Sequence, residues 1–507
     1  MATVVPVRRG AENSCVLGPR APATVAIVDS RVLASMVFRT PLALLPGPGR
    51  DEAAYFYWAV HGEFSYTPLM LASVRGLHEL GFPALAAIRI PSLLGGVVSL
   101  VLFDRFLEVR GADRRSRLAG LLALAVAPWH VWVGSVLHPD PWFLSALLAL
   151  CLALHSGRLV GGAMLGGMAA LAKPTGFVLL PVLGIWLWRV GTQRARLVAI
   201  PALLGIAALA MVGLSPGMIR EMAEFGRLDP GLPLLQCVAI VLQDLLIGGG
   251  LLLFVAGIQG FIESARFSRP GSAWSGVPPL ILAATLIVFF LAAALLNRQI
   301  KGNWLLPALV LLWPSRGLWI PKPLIGMFLL ASVLASTVMV GMARNPSLAA
   351  RMESEVPALR IYRERAGTRE DRVSPTGSWS DRFREYQSLK DEAAEASWLW
   401  ERATGETAPP RWIVSDDYGL ASQLAYHWHE YGTRLVVPSD GLFVRGLHEL
   451  EQGHAHSVLL VATQAPLDRV WPRMGSAREI GVLAHPAMDG RIRLGVLTLR
   501  GEGRHPD

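Results

Sequence analysis

Cysteine is scarce in this chain and charge is thin. The three cysteines, Cys15, Cys151 and Cys237, are scattered through 507 residues, and none lies beyond residue 237. That excludes a disulfide framework and a cysteine-based zinc site in the C-terminal part. Charged residues make up 17% of the chain against 52% hydrophobic, too apolar for an ordinary soluble multidomain protein. No repeat recurs at a solenoid period, and no two-fold similarity relates the halves of the apolar region. The first 21 residues hold Arg8, Arg9 and Arg20 but no compact apolar core before a small-residue cleavage site. They read as a cytoplasmic tail rather than a signal peptide.

What is present is hydrophobicity, unevenly placed. Long runs of Leu, Ala, Val, Gly and Ile fill residues 23–342, whereas 1–22 and 343–507 read as soluble, which sets the domain boundaries. The net charge of +9 need not mean nucleic acid, because many arginines lie in short loops between apolar runs, where they set membrane orientation. Candidate spans are 23–46, 86–107, 118–136, 141–157, 159–172, 174–188, 197–214, 234–260, 278–296, 304–314 and 323–342, about eleven crossings. The first is interrupted by Asp29, Arg31 and Arg39. Residues 159–188 are one long span or a hairpin turning at Lys173-Pro174-Thr175-Gly176. The hairpin places Arg110 to Arg117, Arg158, Arg189 to Arg196, Arg266, Arg269, Arg316 and Lys322 on the side of the N-terminus, the cytoplasmic side by the positive-inside bias. It is therefore preferred.

Beyond the last span, strand-like runs at 412–415, 434–437, 457–462, 480–484 and 492–499 alternate with helical patterns at 420–431 and before Trp400. A small α/β domain on the outer face is expected.

The stretch Asp51-Glu52-Ala53-Ala54-Tyr55-Phe56-Tyr57-Trp58 follows the helix-breaking Pro46 to Arg50. A short helix beginning there puts Asp51 and Tyr55 on one face at i, i+4, with Trp58 three further on. An acid with Tyr and Trp is a sugar-binding and proton-accepting surface, or else an interfacial aromatic belt with a capping Asp. Asp140 lies in the turn His138-Pro139-Asp140 on the same face. Asp51, Asp140 and His138 are placed to hold a divalent cation; the plainer reading is that Asp140 caps the helix from Pro141. His427, His429, His454 and His456 read as surface histidines, Asp104 as structural beside Arg105, and Asp244 has no assigned role.

The ordered series DEAAYFYW, Tyr66-Thr67-Pro68-Leu69, Arg89-Ile90-Pro91-Ser92-Leu93-Leu94-Gly95, His138-Pro139-Asp140 and Leu171-Ala172-Lys173-Pro174-Thr175 resembles the motifs of GT-C glycosyltransferases. The branch is that of bacterial lipid A aminoarabinose transferases and protein O-mannosyltransferases. Lys301-Gly302-Asn303-Trp304-Leu305-Leu306-Pro307 resembles its outer-face Asn-Trp-Pro stretch, and Ser415-Asp416-Asp417-Tyr418 the start of its soluble domain. Where many relatives have His-Pro-Pro this chain has Tyr66-Thr67-Pro68, and His61 is a candidate substitute for the missing basic group.

The resemblance implies an α-helical multi-pass membrane protein of GT-C type with a C-terminal extracytoplasmic α/β domain, in a bacterial inner membrane. It implies transfer of a monosaccharide from a polyprenyl-phosphate donor to a lipid, glycan or protein acceptor, inverting the anomeric carbon. Asp51 would be the general base or an acceptor-orienting carboxylate, and Asp140 a second acid and candidate metal partner. Arg89, Lys173 and Lys301 would hold phosphate, and Glu52, Tyr55, Trp58, Tyr66, His138, Asn303 and Trp304 would line the substrates. A transporter or flippase of a polar lipid is the alternative.

Overall fold

Glycine and proline punctuate the chain, and the helices fall between them. In the computed structural model the described residues are 35–62, 67–212, 245–246, 248–267, 277–295, 304–315, 317–355, 389–436, 457–462, 477–484 and 491–498, with Leu242, Phe383 and Tyr386. Helix α1 covers 35–43. Helix α2 (Arg50–His61) starts behind Gly49, whose N–H is taken by the Glu52 carboxylate at 3.1 Å. That satisfies one donor the new helix would otherwise leave orphaned. Gly62, at φ 74°, ends the helix in the left-handed region that favours glycine.

Helix α3 (Pro68–Glu79) begins on proline, and α4 (Ala84–Val109) runs 26 residues. At ~1.5 Å per residue that is about 39 Å, more than the ~30 Å of a bilayer core. The expected span 118–136 is instead two pieces, α5 (Arg114–Ala125) and α6 (Pro128–Val133). Pro128 has no N–H to continue a helix and holds Ala127 extended, at φ −62° and ψ 124°.

The ambiguous stretch 159–188 is a hairpin. Helix α7 (Asp140–His155) precedes α8 (Leu159–Ala172), Lys173 is extended, a 3₁₀ turn spans Pro174–Val178, and α9 (Leu179–Val190) returns. A Cβ at Gly166 would lie 2.3 Å from the Leu183 side chain, and one at Gly176 would lie 2.6 Å from the Ala169 backbone. Both pairs straddle the turn, so α8 and α9 run side by side. Further on come α10 (Gln193–Val212), α11 (Leu251–Phe267), α12 (Val277–Leu295), α13 (Leu306–Leu311), α14 (Lys322–Arg344) and α15 (Pro346–Glu355).

Among the described residues two helices, Ala84–Val109 and Lys322–Arg344, are long and apolar enough to cross a membrane, and five apolar ones are shorter. Met327, Leu330, Leu334 and Val338 of α14, spaced three or four apart, form an exposed apolar stripe, as a lipid-facing surface would. Arg39 of α1, a charge that interrupts the first candidate span, is fully buried in the bundle. Its Nη2 donates to His130 Nδ1 at 2.8 Å. Nδ1 therefore accepts, and Nε2 carries the proton that meets Ser99 Oγ at 2.9 Å.

The C-terminal domain is the expected α/β unit. Helix α16 (Lys390–Thr404) leads to β1 (Trp412–Ser415), α17 (Tyr418–His427), β2 (Arg434–Val436), β3 (Ser457–Ala462), β4 (Ala477–Ala484) and β5 (Arg491–Thr498). The strand order is β2-β1-β3-β5-β4, with β2, β1 and β3 parallel and β5 antiparallel to both β3 and β4. One apolar cluster fills the bundle, and a second joins α2 and α3 to this domain. Tyr57 of α2 accepts the Leu435 N–H of β2 at 3.0 Å. The expected N-terminal tail, the loop 215–233 and the turn 297–303 lie outside the described residues, as do Tyr66, Asp244, Lys301, Asn303, His454 and His456.

Candidate active site

The site is built on one buried ion pair. Glu52 and Arg89 are 1% and 2% exposed. Arg89 donates from Nε to Glu52 Oε1 at 3.4 Å and from Nη2 to Glu52 Oε2 at 3.2 Å. Its Nη1 reaches the carbonyls of Ala43 and Leu45 at 2.9 and 2.6 Å, and Nη2 that of Gly47 at 2.6 Å. All five guanidinium N–H groups are thereby committed. Glu52 also accepts the N–H of Gly49, and that of Leu137 at 2.7 Å. One pair thus ties the loop before α2, the head of α4 and the segment before His138 together.

Asp51, next in chain to this clamp, is exposed. Its Oδ1 accepts the Tyr418 phenol at 2.8 Å. Burial, and then the Asp51 charge, hold the phenol pKa well above its ordinary value, so Tyr418 remains a donor. Arg50 lies over the Tyr418 ring at 5.4 Å and donates to Asp417 at 2.6 Å. Asp417 in turn caps α17 by accepting the Leu420 N–H at 2.9 Å. The C-terminal domain therefore reaches the head of α2 through the first turn of α17.

A second group sits beyond Leu137. Asp140 is 4% exposed, and its Oδ1 accepts the Lys173 ammonium while Oδ2 lies 3.2 Å from His138 Nδ1. Lys173 is positioned by the break between α8 and α9, and its Nζ lies 5.5 Å from the centre of the Trp304 ring. Ser92 fixes the turn, accepting the His138 N–H at 2.9 Å. The turn 138–140, the break at 173 and Trp304 thus meet, and the bond from the Leu137 N–H ties this cluster to Glu52, the residue after Asp51.

Several expected contacts take another form. Arg89 has no donor left for a phosphate, and Glu52 no accessible oxygen for a substrate. Both act inside the protein because the loop carbonyls and each other satisfy them fully. Tyr55 and Trp58 do not present rings to a sugar: they are 8% and 4% exposed in the apolar cluster shared with the C-terminal domain. His61 does not supply a basic group. Burial, then Arg434, lowers its pKa to about 4, so it is neutral.

Asp140 is the first residue of α7, and its carboxylate is turned to Lys173. Among the described residues no group of three or more His, Cys, Asp or Glu is placed to hold a metal. Lys173 already occupies Asp140 Oδ1 and Tyr418 occupies Asp51 Oδ1, so this donor set does not fit a cation shared by Asp51, Asp140 and His138. Asp104 is paired with Arg117 at 2.9 Å, a structural role. Tyr418, Arg50 and Ser92 are additions to the expected site; Ser92 and Tyr418 lie within the motif stretches, and none of the three carries a local signal of its partner.

No family model matches the chain, and no curated protein matches it. Solved structures do. ArnT from Cupriavidus metallidurans in the apo state aligns with a TM-score of 0.56 at 15% identity, covering 94% of this chain and 98% of that one. The same protein bound to undecaprenyl phosphate aligns at 0.54 and 15%, with the same coverage. At such identity the likeness is one of fold, and it takes in both the helical bundle and the sheet-bearing domain. Over 94% of its length this chain has the fold of ArnT from Cupriavidus metallidurans.

Proposed function

We propose that the chain is a membrane glycosyltransferase that moves a monosaccharide from a polyprenyl-phosphate donor to an acceptor hydroxyl on the extracytoplasmic face. The observation that carries this reading is the exposed Asp51 carboxylate. The Asp51 backbone is fixed from behind by the Glu52–Arg89 clamp, which is linked through Leu137 to a lysine-bearing cluster, on the ArnT fold. The relative bound to undecaprenyl phosphate supports the donor class. About eleven crossings, with the arginine-rich loops inside, put the site end outside a bacterial inner membrane.

In the reaction the acceptor oxygen attacks the anomeric carbon as the bond from that carbon to the phosphate oxygen breaks. The acceptor proton passes to Asp51, and the polyprenyl phosphate leaves as its anion. In-line attack inverts the anomeric carbon. A phosphate leaving group needs positive charge more than a general acid, and Lys173 supplies it. Asp140 and His138 orient the ammonium, and Trp304 offers a face to the sugar or to Lys173. No step is assigned to a metal.

The test is release of undecaprenyl phosphate from a panel of labelled undecaprenyl-phosphate hexoses, pentoses and aminopentoses by purified protein, with a membrane extract as acceptor source. Asp51→Asn should lower turnover by roughly 10²–10⁴-fold, the usual worth of a general base, with undecaprenyl phosphate binding retained. Equal turnover would remove Asp51 from the chemistry. No release by wild type with any donor would move the transporter reading forward.

A further inference from the structure

An aspartate in the exposed first turn of a helix has free rotamers, whereas a base must hold one lone pair toward its substrate. Asp51 is the exposed member of its pair, and the Glu52–Arg89 clamp fixes its backbone but not its carboxylate. What fixes the carboxylate comes from 367 residues away. We infer that Tyr418, supplied by the C-terminal domain, is a positioning residue for Asp51: its phenol holds Oδ1 and leaves Oδ2 to take the acceptor proton. This rests on the reading of Asp51 as the base.

The phenol is itself firmly placed. Arg50 stacks on its ring at 5.4 Å and is anchored to Asp417 at 2.6 Å. The Asp417 N–H donates to Ser415 Oγ at 3.0 Å, and Gln423 Nε2 donates to the Pro48 carbonyl at 3.0 Å, two residues before Arg50. Gly419 admits this approach, since a Cβ there would come 1.8 Å from Arg50 Nε. The first turn of α17 and the first turn of α2 therefore interlock, with the phenol-to-carboxylate bond at their centre. Among the described residues Asp51 makes no other side-chain hydrogen bond, so its geometry depends on this one. The soluble domain in this way completes the site rather than only covering it.

The experiment compares Tyr418→Phe and Tyr418→Leu in full-length protein, using the most active donor of the panel and measuring undecaprenyl phosphate binding separately. Removing one hydrogen bond to a charged group is worth roughly tenfold. Tyr418→Phe should lose roughly that much kcat with donor KM and binding unchanged, and Tyr418→Leu should lose no less. If Tyr418→Phe matches wild type while Tyr418→Leu is impaired, the ring acts only in packing and the inference is overturned. If Tyr418→Phe raises KM with kcat unchanged, it is overturned as well. Asp51→Asn serves as the reference: should it stay fully active, the base reading and this inference fall together. Should it be inactive beside a wild-type-like Tyr418→Phe, only the inference falls.

Discussion

Helix α4 carries an ion pair at each end, and the two are built differently. At the site end Arg89 meets Glu52 across 37 residues, with side chains 3% and 1% exposed, and gathers three loop carbonyls as well. At the opposite end Asp104 meets Arg117 across 13 residues, with side chains 4% and 21% exposed, and closes the turn into α5. The distal pair ties neighbours that the chain would bring together anyway. The site pair joins segments that nothing local would hold in register, and the candidate base is the residue beside it.

The largest effect is expected at the site pair. Arg89→Met strands a buried carboxylate and frees three carbonyls, so it should cost about 3–5 kcal/mol and abolish turnover, read as a lowered unfolding midpoint in detergent. Asp104→Asn keeps a hydrogen-bonding side chain opposite a guanidinium that water already reaches. Its cost should be about 1 kcal/mol with activity retained. Equal losses for the two variants would mean that both ends of α4 are merely structural.

The pH dependence of stability sharpens the same contrast. His61 closes α2 against Arg434, and its pKa falls from 6.5 to about 4 on folding. Above pH 6.5 both the folded and unfolded forms are neutral and nothing is gained or lost. Between 6.5 and 4 the unfolded chain takes up the proton first, so stability declines with acidity over that window and is flat below it. His61→Gln should flatten the decline in a pH series of melts, whereas Asp104→Asn should leave it in place.

Local signals in the sequence were read well, and long-range ones were not. The break at Lys173-Pro174 and the strands from Trp412 to Thr498 follow from proline chemistry and alternation; Asp104 is structural as expected, but its partner is Arg117 and not the adjacent Arg105, which pairs with Glu108. Convergence of Asp140, His138 and Lys173 followed from charge bias in the loops. The expectation that the rings of Tyr55 and Trp58 face a sugar rests on the helix face they share with Asp51. Yet Ala53, Ala54, Phe56 and Ala59 make α2 apolar on nearly every side, as suits a helix enclosed between bundle and soluble domain. The commitment of Arg89 to carbonyls could not be read, because a carbonyl leaves no trace in residue identity. Nor could the bond from Tyr418 to Asp51, whose partners are separated by almost the whole membrane region.

Tyr57 has a consequence for solubility. Among the described residues strand β2 lies at the margin of the sheet, where unpaired N–H groups invite a strand from another molecule. The Tyr57 hydroxyl takes the Leu435 N–H, so a membrane-domain helix acts as the guard of that margin. Cut free of the bundle, the soluble domain would lose its guard and bare the apolar face now pressed against α2 and α3. Its apolar face is covered while α2 and α3 lie against it.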